Sequence, residues 1–270
     1  MSSTTLFFVL TIGFSWFFWL PAAVSGQDVT ATSWGIAWLL GGFGPSLVAV
    51  FLAARSKGRK DLKELWQRTI RPKGLTPRWV AFILLVIPVI SALSAGAVAL
   101  FGWEQASFEG LSRVQTNPGL LVGMVLGGLI AGPISEELGW RGYVLDRLQK
   151  KYSPAGSTWL LAGVWWVWHI PLFFMTGTTQ GGWGFFSVDS LFFFITIFPL
   201  SFILTWVYNS TQRSVLGAIL LHFMFNFTLG FVLPASAPFD IVRIILLSLV
   251  AWILVRFTSP LELAPTPAVD

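Results

Sequence analysis

The chain has 270 residues, of which 55% are hydrophobic and only 11% charged, and its mean hydropathy is +0.74. That composition excludes an ordinary soluble domain, and the absence of cysteine excludes disulfides, thiolate nucleophiles and cysteine-bound metals. The formal charge of +5 does not argue for nucleic acid, because the basic residues sort by loop as they do in a membrane protein.

Eight apolar segments of about 20 residues follow one another, the length a bilayer core requires. They cover roughly 5–24, 34–54, 79–101, 118–140, 155–175, 190–208, 214–233 and 239–257. The first is followed by the small residues AAVSG, as in a secretory signal. It lacks a basic leader and its apolar stretch is long, so it reads as a retained helix. The loop 55–78 holds nine Lys/Arg and is expected to be cytoplasmic. With that anchor, 15 Lys/Arg fall inside and only Arg113 and Arg243 outside, which places both termini in the cytoplasm and the protein in the cell membrane. Within the loop, DLKELWQRTI reads as a short amphipathic helix on the anionic inner leaflet. The ending SPLELAPTPAVD, residues 259–270, is Pro-rich and polar and reads as a disordered cytoplasmic tail. The expected fold is an all-α polytopic membrane protein, about eight transmembrane helices around a membrane-embedded polar cavity, forming one domain over residues 1–258.

Ionisable groups at membrane depth are costly, so each is a functional-site hypothesis. The fourth segment ends in Glu136 and Glu137, with Arg141 behind; the fifth carries His169; the seventh carries His222 and Asn226. On a helix Glu137 and Arg141 share a face and can pair, while Glu136 is rotated by about 100°. An unpaired, desolvated Glu136 suits a general base for water. His222 and Asn226, also four apart, share a face and suit a developing oxyanion, although helix–helix bonding explains such residues equally well. His169 follows Trp165, Trp166 and Trp168 and precedes Pro171; a structural imidazole is an equal alternative there. Counted from the cytoplasmic helix ends, Glu136 lies at roughly 18 Å, His169 at roughly 22 Å, and His222 and Asn226 at roughly 12–18 Å. Such agreement points to one cavity, placed in the cytoplasmic half. Gly132 and Pro133 just before the glutamates can kink the helix and admit water.

EELGWRG at 136–142 resembles an EExxxR motif, WVWH at 166–169 an FxxxH-type motif, and HFMFN at 222–226 an HxxxN motif. Together they resemble the CPBP family of intramembrane endopeptidases, which includes the type II CAAX prenyl proteases and the ABI immunity-type proteins. GFGPSLVAVFLAA at 42–54 and RSVLGAILLHFMFN at 213–226 extend the likeness, which spans about residues 40–230. The one departure is Trp165, where many members carry Phe. The resemblance implies that Glu136 and His169 activate a water, that His222 and Asn226 stabilise the tetrahedral oxyanion, and that Glu137 with Arg141 orders the site or binds substrate. It implies a membrane-anchored peptide or protein substrate, possibly of prenylated CAAX type, cleaved near the cytoplasmic leaflet, with membrane lipids as the other partner. A glutamate-dependent reaction with no required metal is the expectation. The alternative is zinc held by Glu136, His169 and His222 with an open position. Two further function classes stay open: a non-catalytic partner-binding protein of bacteriocin-immunity type, and a proton-coupled transporter using the same groups as a relay.

Overall fold

The computed structural model describes residues 2–56, 59–103, 109–231 and 236–257, and these residues contain helices and no strand. The expected tail at 259–270 lies outside them. In chain order the helices are α1 (Ser3–Ser25), α2 (Trp34–Gly42), α3 (Gly44–Ser56), α4 (Arg59–Ile70), α5 (Pro77–Leu100), α6 (Glu109–Thr116), α7 (Gly119–Leu129), α8 (Ser135–Gly139), α9 (Asp146–Gln149), α10 (Pro154–His169), α11 (Thr179–Trp183), α12 (Val188–Ser210), α13 (Val215–Phe231) and α14 (Ala237–Phe257). A helical segment of 31 residues, Gly119–Gln149, joins α7, α8 and α9 through two wider turns, Ile130–Ile134 and Trp140–Leu145.

The protein is a multi-pass, all-helical membrane protein, but eight spans are not what length and hydropathy give. Among the described residues five helical segments are long and apolar enough to cross a bilayer, or six if α2 and α3, bent by 50° at Phe43, form one span. The expected fifth and seventh spans are α10 and α13, of only 16 and 17 residues. Pro171, just past His169, begins a tighter turn over Ile170–Phe174. Helices whose ends abut protein and a polar cavity need not match the hydrocarbon thickness. These two short helices carry His169, His222 and Asn226.

The kink expected at Gly132 and Pro133 is a true break. Ala131 (φ −86°, ψ 76°) and Gly132 (φ 137°, ψ −90°) leave the helical region, and only glycine tolerates the second conformation at little cost. The freed backbone is re-bonded by serines, as membrane depth demands. Ser135 Oγ accepts the Gly132 N–H at 3.1 Å and donates to the Gly132 carbonyl at 3.0 Å, and Ser46 Oγ on α3 donates to the Ile134 carbonyl at 2.9 Å. Above the break α7 has no buried residue; below it every residue from Ser135 to Leu145 is buried. Small residues make that possible. A β-carbon on Gly139 would stand 2.5 Å from the Pro45 carbonyl oxygen, so α8 and α3 meet backbone to backbone.

Tryptophans bind the first helix to the rest. Trp168 Nε1 donates to Ser15 Oγ at 2.7 Å, Ser15 Oγ donates to the Gly41 carbonyl at 2.7 Å, and Trp19 Nε1 donates to the Trp38 carbonyl at 2.9 Å. Phe7, Trp19, Trp140 and Trp168 are all essentially fully buried. Among the polar atoms of this layer each indole N–H has found an acceptor, which removes the cost of burying it.

Candidate active site

The two glutamates behave as their angular offset requires. Glu137 accepts both contacts of Arg141 Nη1, at 3.0 and 3.1 Å, one turn on. Arg141 Nη2 donates to Ser201 Oγ at 3.0 Å, and its guanidinium lies 4.8 Å from the Trp165 ring centre. Glu137 and Arg141 have no exposed surface, so the pair is a true interior ion pair. Glu136 faces another way. Its Oε2 accepts the Trp165 indole N–H at 2.6 Å and the Trp140 indole N–H at 3.2 Å, while Oε1 faces the break at Gly132.

At that break the functional atoms meet. A β-carbon on Gly132 would stand 2.9 Å from Asn226 Nδ2, 3.7 Å from Glu136 Oε1 and 3.8 Å from His222 Nε2. Three side chains from two helices thus surround one point that the missing glycine side chain leaves open. The ring orientations of the two histidines are fixed from behind. His222 Nδ1 lies 2.8 Å from Glu137 Oε1, so Nδ1 is the donor and Nε2 is turned toward the gap. His169 Nδ1 lies 2.8 Å from the Trp165 carbonyl oxygen; a carbonyl only accepts, so Nδ1 carries the proton and Nε2 is the free nitrogen. The His169 ring packs against Trp168 and Phe193, with ring centres 4.7 and 5.1 Å away.

A cavity of about 620 Å³ is lined by Gly132, Glu136, Trp165, His169, His222 and Asn226 together. All four expected catalytic residues therefore share one space, and Glu137 and Arg141 stand behind it. The cavity continues past Trp19, Trp38, Thr178 and Asp189 to Asp240 and Arg243. Trp19 and Trp38 lie on α1 and α2, Thr178 caps α11, and Asp189, Asp240 and Arg243 lie at the starts of α12 and α14, the end of the bundle away from the basic loop. Glu136, His169, His222 and Asn226, expected at one level, line this one cavity.

Trp165 is the functional residue that the motif reading undervalued. Its indole N–H holds Glu136, its carbonyl orients His169, its ring meets His222 at 5.4 Å, and it lies against Arg141. Position 165 carries an aromatic by motif, but only Trp supplies that N–H. Gly132 is the other, visible in the sequence as a kink and not as the floor of a site. Among the described residues no group of three or more His, Asp or Glu side chains is arranged to hold a metal ion. As placed, Glu136, His169 and His222 do not form the expected zinc set.

Residues 118–228 match the family described as Rce1-like, type II CAAX prenyl endopeptidase. That segment, which holds all three motifs, is similar to the Rce1-like type II CAAX prenyl endopeptidases. The CAAX prenyl protease 2 of Methanococcus maripaludis is 27% identical over 225 residues, 82% of each chain. The family resemblance read from EELGWRG, WVWH and HFMFN is thereby supported beyond the motifs themselves.

Proposed function

We propose that this protein is an intramembrane endopeptidase in which Glu136 is the general base for an attacking water, on a membrane-anchored peptide whose class includes prenylated CAAX-type sequences. The observation that carries the reading is the meeting of Glu136 Oε1, His222 Nε2 and Asn226 Nδ2 around one open point above Gly132. Glu136 Oε1, with His169 Nε2 beside it in the cavity, takes a proton from water as its oxygen bonds to the peptide carbonyl carbon. His222, donating Nδ1–H to Glu137 and, when protonated, Nε2–H into the gap, stabilises the oxyanion together with the Asn226 amide. Collapse breaks the C–N bond, and the proton held at Glu136 passes to the leaving amine. Two indole N–H groups on Oε2 keep the carboxylate from turning away, so Oε1 is the oxygen that reacts. This chemistry needs no metal.

The test is hydrolysis of prenylated and unprenylated peptide libraries by the purified protein, wild type against Glu136→Gln. Turnover should fall by ~10²-fold or more, the usual cost of losing a general base. Full turnover by Glu136→Gln, or none by the wild type on any peptide, favours the partner-binding alternative. For orientation, the Lys/Arg asymmetry supports both termini in the cytoplasm. The cavity's direction then favours substrate arriving from the face away from the basic loop, over the cytoplasmic leaflet suggested by helix depth. Reporter fusions at residue 65 and at the C-terminus should both read cytoplasmic; an exported signal from either reverses the side.

A further inference from the structure

The cavity ends in a charge that the proposed chemistry does not use. Arg243, in the second turn of α14, lines it and is 7% exposed. A guanidinium in such surroundings is costly unless its donors are matched, and here they are matched badly. Nε and Nη2 both donate to the same oxygen, Asp240 Oδ1, at 3.1 and 2.6 Å. Nη1 has no hydrogen-bond partner. A structural Arg–Asp pair normally closes as a fork on two oxygens; this one leaves part of the guanidinium without a partner. Phe225, whose ring centre is 5.7 Å from the Arg243 guanidinium, ties it to α13 beside Asn226 and one turn from His222.

We propose that Arg243 is a substrate-binding residue that receives a carboxylate of the bound peptide at the far end of the cavity from Glu136. The inference rests on the endopeptidase reading and deepens it. A planar guanidinium with an unpartnered Nη1 takes a carboxylate in preference to a neutral amide, and Arg243 lines the same cavity as the reacting groups. A peptide cut a few residues from its C-terminus presents such a group at the right scale, since each extended residue covers about 3.3 Å. An acidic side chain presents the same chemistry.

The experiment uses the full-length protein in detergent and three fluorescein-labelled farnesyl-cysteine peptides. One has a free C-terminus, one a C-terminal amide, and one a C-terminal amide with Glu near the end. Binding is measured by anisotropy on the Glu136→Gln background, and turnover on the native background. Arg243→Gln should weaken the free-acid peptide by about 10-fold or more, through KM, and leave the amide peptide unchanged. Asp240→Asn, which releases the competing carboxylate, should bind the free-acid peptide at least as tightly as the parent. If the Glu peptide binds like the free acid, the carboxylate is a side chain's; if it binds like the amide, it is the C-terminal one. Equal losses for acid and amide peptides in either variant assign Arg243 a structural role and overturn the proposal. Acid-selective binding without any turnover keeps the subsite and rejects the protease.

Discussion

Two clusters of buried charge occupy opposite ends of this bundle and follow opposite rules. At the basic end, Asp146 has both oxygens occupied twice. Oδ1 accepts from the Tyr208 hydroxyl at 2.9 Å and from Arg213 Nε at 3.0 Å; Oδ2 accepts from Arg68 Nη1 at 2.9 Å and from Arg213 Nη2. Arg68 also donates to the Gly142 carbonyl at 2.7 Å, fastening α4 to the wide turn that follows the glutamates. Burial alone would lower the pKa of Arg213, but Tyr208 and Asp146 outweigh it and raise it. At the cavity end, by contrast, Glu136 is held by one oxygen only and Arg243 leaves Nη1 without a partner. A carboxylate with both oxygens engaged, as Asp146 has, stabilises the fold. One that keeps an oxygen in reserve, as Glu136 does, is poised for another molecule.

That contrast breaks first at Glu137, which belongs to both kinds. Glu137→Gln leaves Arg141 as a fully buried cation without its partner and frees His222, and should cost about 3–5 kcal/mol of stability. Thermal unfolding in detergent should show this, and turnover per folded molecule should fall as well. A fully stable Glu137→Gln variant would move Glu137 out of the structural class. Asp146→Asn should cost slightly less, about 3 kcal/mol, because Arg68 and Arg213 retain 16% and 14% side-chain exposure and are partly solvated. Its turnover per folded molecule should be close to that of the wild type, which a mixed active and inactive fraction, counted by a folded-state titration, would contradict. Glu136→Gln is the mirror image, with turnover lower by ~10²-fold and an unfolding temperature unchanged or higher. The smallest effect is at Trp165. Trp165→Phe keeps the ring beside His222 and Arg141 and loses the N–H on Glu136, so kcat should fall by about 10-fold, the worth of one hydrogen bond to a charged group, with KM unmoved. A change confined to KM would make Trp165 a substrate contact instead.

Much of this was legible in the chain. Segment order, the pairing of Glu137 with Arg141, the separate facing of Glu136 and the kink before it follow from helical geometry and hydropathy alone. What could not be read are the distances fixed by tertiary packing. Trp165 and Glu136 are 29 residues apart, and His222 and Glu137 are 85 apart; no periodicity links them. The short length of α10 escaped because hydropathy runs on through the turn at Ile170–Phe174 and measures apolarity, not helicity. The bend between α2 and α3 escaped for the same reason. The side on which the cavity opens required knowing which helix ends line it.

The break at Ala131–Gly132 separates two mechanical environments along one chain segment. α7, on one side, has no buried residue and touches α13 near Phe223; on the other side α8 and the turn after it are gripped by α3 and by the bonds of Arg68. A bilayer that thins or thickens forces its helices to tilt, and here the tilt is taken up at a joint of one glycine. The glutamates lie on the gripped side. A change of bilayer thickness is thus expected to displace the arm beyond the joint more than the glutamates.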